Sequence, residues 1–283
     1  MNWEFYLFKY KDLRDAGIKN EKQAMTHYLM FGKNEGRMIH PLDLNFYKNK
    51  YPELINLQTI EQAIQHYESI GIQKGLLCNE YMDNHLLDGI IFINLESRKD
   101  RRECIENELK YLSKPYIRLE ASYHEKGYIG WAKSHIRALE LAKEKCWKNA
   151  LIIEDDFIFT TNKFIVMEKI NTILQNLKNW NMILLTGNCA RKYTIHHPFL
   201  SRVTNSQTTS TYLINNTYYD VLLNNFRESH NFLIEGNNVR QYAIDIYWKQ
   251  LQQKDLWLAF TDFVGKQKED YSDIEKRYVN YNA

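Results

Sequence analysis

Two hydrophobic patterns divide the sequence near residue 86. Before this point, aromatic and small apolar residues recur three or four positions apart, which predicts short amphipathic helices. After it, continuous apolar runs of strand length, the first at 89–95, alternate with stretches of helical spacing. Continuous apolar runs are typical of strands buried in a parallel sheet. We therefore predict a helical domain over residues 1–86 and an α/β domain over residues 87–283.

The helical domain contains a sequence repeat. Residues 5–37 and 46–76 align with a two-residue gap in the second copy, at offsets of 41 and then 39 residues. Each copy has an aromatic opening segment, a turn, and a helix that carries the sequence QAxxHY. Agreement this dense indicates a structural repeat, and we expect a small adaptor that packs on the second domain or on a partner.

Two pairs of repeated residues have a predicted structural role. Gly32 and Gly71 follow the helices and are expected to end them as C-cap residues. His27 and His66 each stand beside a repeated tyrosine, which favours an interior hydrogen bond used by both copies. A ligand-binding role for the two histidines is the alternative.

The α/β domain is predicted to alternate strands with helices. The predicted strands are 89–95, 115–119, 149–153, 182–186 and 208–214, and the predicted helices are 98–112, 131–146, 162–177, 218–226 and 243–252. Ser97 is expected to cap the helix that follows it. This alternation predicts a mostly parallel sheet with helices on both faces. Ligands of such sheets bind at the carboxyl ends of the strands.

Composition and charge narrow the classes of function. The 283 residues include 37 Lys and Arg against 35 Asp and Glu, and this near balance argues against a nucleic-acid-binding protein. No apolar run approaches the roughly 20 residues that span a bilayer. The first ten residues also lack the apolar core of a signal peptide. We therefore predict a chain with no transmembrane segment and a cytoplasmic location.

Three carboxylates follow the strand over 149–153 directly: Glu154, Asp155 and Asp156. Clustered carboxylates repel one another and are costly to leave unpaired in a partly buried cleft. A hard cation such as Mn²⁺ or Mg²⁺ relieves that cost, commonly with substrate phosphates as its other ligands. The run therefore predicts a metal site, with a solvated acidic loop or a helix start as the alternative.

Two further stretches are candidates for contact with an anionic substrate. Arg98, Arg101 and Arg102 follow the first strand and can meet a phosphate, although an exposed basic helix face would have the same sequence. Ser134 and His135 lie near the start of a helix whose free N–H groups could receive an anion or a sugar hydroxyl. An ordinary first-turn histidine bonded to the backbone is the alternative for His135.

Six segments of the α/β domain carry a family resemblance. They are INLESRKDRR (93–102), GWAKSHIRALELA (130–142), ALIIEDD (150–156), TSTYLINNTYYDVLL (209–223), AIDIYW (243–248) and GKQKEDYSDI (265–274). In this order they resemble glycosyltransferase family 25, which contains bacterial lipooligosaccharide galactosyltransferases and the collagen hydroxylysine galactosyltransferases. The repeat region resembles the FYLxxYPDL…HYLxxGxxEGR repeats of surface-polysaccharide and glycosyltransferase proteins.

The resemblance implies a reaction and a fold. The fold is a GT-A-like, Rossmann-type α/β fold. The reaction is a metal-dependent, inverting transfer of a hexose, with galactose or glucose expected first, from a UDP-sugar. The acceptor is a hydroxyl group of a glycan, a glycolipid or a protein.

The resemblance also implies roles for individual residues. Asp156 would bind the metal, with Glu154 or Asp155 reaching the metal or the ribose. Asp245 would take the proton of the acceptor hydroxyl, with binding of donor hydroxyls or capping of a helix as its alternatives. The other residues expected to contact or support the donor are Asn94, Arg98, Arg101, Ser134, His135, Gln267 and Asp273.

Two rival functions use the same sequence features. A metal-dependent phosphoesterase would use the acidic strand end to hydrolyse phosphate esters without a sugar acceptor. A catalytically inactive scaffold would keep the fold and the repeats, and would bind a glycan or a partner.

Overall fold

The computed structural model describes residues 1–112 and 116–280 and divides them into two compact units. The first unit contains residues 1–85 together with 111–112 and 161–170. The second contains the remaining described residues. The sequence predicts one boundary, after residue 86. In the structure the first unit also contains two segments from later in the chain.

The first unit is built from short helices, most of them capped by a polar side chain. They are α1 (Trp3–Lys9), α2 (Lys11–Asp15), α3 (Glu21–His27), α4 (Leu44–Lys50), α5 (Ile60–His66) and α6 (Glu80–Asp83). The π-helical turns Tyr28–Gly32 and Tyr67–Gly71 continue α3 and α5. Asn20 caps α3, and Thr59 forms a capping box with Gln62 at the start of α5.

The two repeat histidines make the same contact in both copies. The hydroxyl of Tyr6 lies 3.0 Å from Nδ1 of His27, and the hydroxyl of Tyr47 lies 2.9 Å from Nδ1 of His66. Both tyrosines are completely buried. The predicted interior hydrogen bond is therefore confirmed.

The predicted C-cap roles of Gly32 and Gly71 are wrong. Both glycines are buried inside the π-helical turns, and a Cβ on Gly32 would lie 2.2 Å from the Tyr6 hydroxyl, so close packing explains the lack of a side chain. The left-handed conformation occurs four residues later, at Gly36 (φ 66°) and Gly75 (φ 71°). There the backbone bonds of a Schellman motif close each helix.

The second unit is organised around a sheet of eight strands. These are β1 (Gly89–Asn94), β2 (Tyr116–Glu120), β3 (Asn149–Glu154), β5 (Met182–Leu184), β6 (Asn188–Thr194), β7 (Leu200–Gln207), β8 (Thr211–Asn215) and β9 (Trp257–Phe260), in the order β2-β1-β3-β8-β5-β9-β7-β6. Two small antiparallel pairs lie outside it: β4 (Phe157–Phe159) with β10 (Gly265–Gln267), and β11 (Asp270–Ser272) with β12 (Arg277–Val279). Pro115, the predicted start of the second strand, lies outside the described residues.

Most strands of this sheet run in one direction. β1 pairs in parallel with β2 and β3, and β5 pairs in parallel with β9. β8 and β7 run the opposite way. The predicted GT-A-like, Rossmann-type α/β class, with a mostly parallel sheet and flanking helices, is confirmed, and β8 makes the sheet mixed at its centre.

The helices of this part of the chain are longer than those of the repeats. They are α7 (Lys99–Leu109), α8 (Gly127–Glu144), α9 (Lys163–Asn176), α10 (Tyr219–Ile234), α11 (Val239–Tyr242), α12 (Ile244–Tyr247) and α13 (Lys249–Lys254). Ser97 does not cap α7, because the helix begins later than predicted and Arg98 occupies the N-cap position. Within residues 1–112 and 116–280, no helix combines the length and apolarity needed to cross a bilayer.

The hydrophobic core lies between the sheet and the helices α8 and α10. Ile91 and Ile152 from the sheet meet Leu139 of α8 and Phe226 of α10, and all four are fully buried. Each such side chain contributes about 1.5–3 kcal/mol relative to an exposed position. In the register of β1 with β3, Ile93 pairs with Glu154. The carboxyl ends of β1 and β3 therefore lie next to each other at one edge of the sheet.

Candidate functional site

A cavity of about 170 Å³ opens at the carboxyl ends of β1 and β3. The acidic run that follows β3 forms one wall, and the loop 121–124 with the first turns of α8 forms a second. Residues of the segment 267–279 form a third wall. This is the edge at which ligands bind in α/β sheets.

Glu154 is held at one oxygen by three donors. Its Oε1 accepts hydrogen bonds from Nε2 of His135 and Nε1 of Trp131, both at 3.0 Å, and from the hydroxyl of Thr209 at 2.5 Å. Because a carboxylate can only accept, the imidazole carries its proton on Nε2, and the hydroxyl of Tyr212 donates to Nδ1 at 3.0 Å. Burial raises the pKa of Glu154, but these hydrogen bonds outweigh it, so its pKa is lowered.

Asp155 and Asp156 share a single guanidinium group. Nη1 of Arg101, on α7, lies 3.1 Å from Oδ1 of Asp155 and 3.4 Å from Oδ2 of Asp156. Asn94 at the end of β1 donates to Asp155 at 2.7 Å, whereas Gln267 reaches Asp156 only at 3.3 and 3.5 Å. Asp156 is therefore the less well satisfied of two largely buried carboxylates.

Burial and mutual repulsion affect the pKa values of both aspartates. Burial raises the pKa of Asp155, although Arg101 and Asn94 oppose the shift. Burial, together with the charges of Glu154 and Asp155, raises the pKa of Asp156 to about 8. Ionisation of both carboxylates is therefore disfavoured unless a further positive charge binds beside them.

Arg98 does not line the cavity; it anchors the chain that follows β10. Its guanidinium bonds to Asp270, to Asp273 and to the Tyr271 carbonyl, and also to Asp100 on its own helix. Arg101 adds a bond to Asp270. The predicted phosphate-binding group Arg98 is therefore engaged with carboxylates.

The aspartates at this edge outnumber the two arginines that pair with them. Among the described residues, Arg98 and Arg101 together form ion pairs with five aspartates, Asp100, Asp155, Asp156, Asp270 and Asp273. Carboxylate oxygens are the ligands that Mn²⁺ and Mg²⁺ prefer. No cluster of three or more Asp, Glu, His or Cys in residues 1–112 and 116–280 is arranged to hold an ion by itself. The side chains present fit a cation that takes its other ligands from a bound substrate.

Asp245 is not among the residues that line the cavity. It sits in the first turn of α12, and its Oδ2 accepts from the backbone N–H of Thr208 at 3.0 Å. Burial, with a contribution from the charge of Glu154, raises the pKa of Asp245. Thr208 has φ 85°, which is rare for a β-branched residue and indicates local backbone strain. The neighbouring Thr209 is the residue that holds Glu154.

The remaining predicted residues divide between the cavity wall and its support. Ser134 lines the cavity, and its hydroxyl accepts from the backbone N–H of Ser122 at 2.8 Å, which fixes the 121–124 loop. Gln267 and Asp273 line it as well. Asn94 and His135 are buried beneath the wall and act through Asp155 and Glu154.

Four residues of the site were not singled out in the sequence. Trp131 and Thr209 bond to Glu154, and Lys268 and Lys276 place cationic side chains at the cavity. Trp131 and Thr209 fall within quoted motif segments, so the motifs could have indicated them. Lys276 lies beyond the last motif segment, so no motif could have indicated it.

Comparisons with known proteins give only distant structural likenesses. No protein-family model and no curated protein matches the chain. Among solved structures, A197 from STIV is 13% identical over 68% of this chain and 92% of its own, with a TM-score of 0.37. A glycosyltransferase involved in the glycosylation of the major capsid of PBCV-1 is 8% identical over 61% of this chain and 92% of its own, with a TM-score of 0.36. Mannose-1-phosphate geranyltransferase from Thermus thermophilus is 9% identical over 61% and 72%, with a TM-score of 0.41. Similarity at this level assigns neither a family nor an activity to the chain.

Proposed function

We propose that the protein is a glycosyltransferase that moves a hexose from a UDP-sugar to a hydroxyl group of a glycan, glycolipid or protein acceptor. The observation that carries the proposal is the Asp155–Asp156 pair. It lies at the carboxyl end of β3, lines the cavity and shares one guanidinium group, that of Arg101, between its two carboxylates. A nucleotide-sugar diphosphate that arrives with a divalent cation complements this wall.

The cofactor of the proposed reaction is Mn²⁺ or Mg²⁺. Asp156, with its long hydrogen bonds, is the first protein ligand, and Asp155 is the second. A bound cation would supply charge neutralisation for the departing diphosphate. Glu154 is the weaker candidate ligand, since three donors occupy its Oε1.

Among the buried carboxylates, Asp245 is our candidate for the general base. Its pKa is raised by burial and by Glu154, whereas the pKa of Glu154 itself is lowered by its hydrogen bonds. A raised pKa makes a carboxylate a better proton acceptor. The Thr208 N–H occupies Oδ2 of Asp245, which leaves Oδ1 to take the proton of the acceptor hydroxyl.

The other residues of the site orient and enclose the donor. His135, Trp131 and Thr209 fix Glu154 so that its second oxygen, Oε2, is available to a donor hydroxyl. Ser134 fixes the 121–124 loop over the cavity. Preorganised polar groups of this kind cost little reorganisation when charge develops.

The test is incubation with a panel of UDP-sugars and Mn²⁺, with release of UDP as the readout. We expect slow release from one sugar, UDP-galactose or UDP-glucose, and its loss in the double variant Asp155→Ala/Asp156→Ala. Asp220→Ala, at an exposed ion pair with Lys143, is the matched control and should retain activity.

Two other outcomes would contradict the proposal and favour a different function. Hydrolysis of phosphate monoesters, with no response to any UDP-sugar, would favour a phosphoesterase. A protein that neither binds nor turns over any of these compounds would favour a scaffold.

A further inference from the structure

The turn between β11 and β12 holds a lysine in a conformation that suits glycine. Lys276 has φ 56°, and its N–H donates to the Ser272 carbonyl at 2.8 Å to close the four-residue turn. In this left-handed region glycine pays no Cβ penalty, so it is the usual occupant. Lys276 therefore adopts a strained backbone conformation.

Lys276 is an exposed residue that lines the cavity. Lys276 lines the cavity together with Asp273 and Ser272 from the same hairpin. Among the described residues it forms no ion pair, because the nearby Glu275 is paired with Arg277 and Asp273 with Arg98. Strained backbone conformations cluster at ligand-binding sites, and Lys276 lies beside a cavity.

Lys276 also supplies charge that the cavity otherwise lacks. The cationic side chains of the wall are Arg101, Lys268 and Lys276, and the guanidinium of Arg101 is already bonded to Asp155, Asp156 and Asp270. Lys268 lies 3.7 Å from the thiol of Cys104. Lys276 is thus the cation of this wall most available to an incoming anion.

We infer that Lys276, assisted by Lys268, binds the diphosphate of a nucleotide diphosphate in this cavity. The inference deepens the proposed function and rests on it. A bound diphosphate would meet the lysines directly, and Asp155 and Asp156 would hold the divalent cation that neutralises it. A lysine ammonium binds phosphate as a mobile point charge with three donors.

The test is isothermal titration of the full chain with UDP in the presence of Mn²⁺, for the wild type and three variants. Lys276→Gly removes the ammonium and relieves the backbone strain, so folding is retained. We expect it to bind UDP about tenfold more weakly, the effect of losing one charge-assisted hydrogen bond. Lys276→Arg should stay within about threefold of the wild type, since it retains the charge.

Cys146→Gly is the matched control for the backbone. Cys146 is exposed, has φ 55° and lies at the end of α8 away from the cavity wall. This variant should melt with the same small change as Lys276→Gly, yet bind UDP as the wild type does. A Lys276→Gly variant that melts normally and keeps full UDP affinity would overturn the inference.

Inorganic pyrophosphate separates this inference from the proposed function. If the wild type binds pyrophosphate in a Lys276-dependent way but ignores UDP and UDP-sugars, the diphosphate contact stands and the donor assignment fails. If UDP binds but Lys276→Gly leaves its affinity unchanged, the donor assignment stands and the lysine contact fails. A wild type that binds neither compound contradicts both.

Discussion

Nε2 of His135 donates to Oε1 of Glu154 across 3.0 Å, and this contact separates Glu154 from the two acids that follow it. Asp155 and Asp156 instead accept hydrogen bonds from Arg101 on α7. Three consecutive carboxylates therefore have partners on two different helices, His135 on α8 and Arg101 on α7. Glu154 is therefore held in a hydrogen-bonding network with His135, Trp131 and Thr209, whereas the other two carboxylates share Arg101.

Loss of His135 should destabilise the protein. His135→Ala leaves the buried Glu154 and Tyr212 each without one partner, so we expect the free energy of unfolding to fall by about 2–4 kcal/mol. Urea denaturation measures this change in the free energy of unfolding. His135→Gln, whose amide can still donate to Glu154, should lose less, and equal losses for both variants would contradict the network.

Asp245→Asn tests the proposed base. The amide oxygen can still accept from the Thr208 N–H, so the fold and the affinity for UDP should change little. Because an amide cannot take a proton, kcat should fall by about 10²–10⁴-fold, the usual contribution of a general base. Steady-state kinetics with the active UDP-sugar measure the change in kcat. An unchanged kcat would mean that Asp245 has only a structural role.

Gly32→Ala should be destabilising because of one atom. Its Cβ would lie 2.2 Å from the Tyr6 hydroxyl, and overpacking of this kind costs about 1–3 kcal/mol. The loss should be smaller when Tyr6→Phe removes that oxygen, so a double-mutant cycle of unfolding free energies should show coupling. Additive effects would mean that the close contact is not the cause.

His40 should make the protein sensitive to mild acid. Burial lowers the pKa of His40 to about 4, from an ordinary value of 6.5, although Glu68 opposes the shift. The unfolded chain therefore binds a proton below pH 6.5 that the folded chain resists, so stability falls as the pH drops from 6.5 towards 4.

The comparison is with His40→Asn, which keeps an acceptor for the Leu42 N–H. After allowance for partial exposure, the wild type should lose about 1–2 kcal/mol more than this variant between pH 7 and pH 4.5. Urea unfolding at the two pH values measures the difference. Equal losses would show that another group is responsible.

Local patterns in the sequence predicted much of the fold. Periodic apolar positions located α8, α9 and α10, and apolar runs located β1 and β3, because these elements bury one face or both. β6 is almost wholly exposed and has no such pattern. β9 is only four residues long, and its place in the sheet depends on distant strands. Strand pairing of this kind is not encoded locally.

The sequence predicts one site for Glu154, Asp155 and Asp156. In the structure Glu154 bonds to His135, whereas the two aspartates bond to Arg101. Successive side chains of a strand point to opposite faces, so Glu154 shares the face of Ile152, whose core neighbours include residues of α8. The sequence does not say which helix covers which face. The partners His135 and Arg101 were therefore named as candidates without their contacts to the individual acids.

The central claim is that Asp155, Asp156 and a donor diphosphate hold one divalent cation together. Isothermal titration of Mn²⁺ with and without saturating UDP tests it directly. Since no described cluster of three protein ligands can hold the ion, Mn²⁺ should bind weakly alone and at least tenfold more tightly with UDP. By linkage, Mn²⁺ should strengthen UDP binding equally. Asp156→Asn should abolish both effects. UDP that binds the wild type equally well in EDTA and in Mn²⁺ would contradict the account.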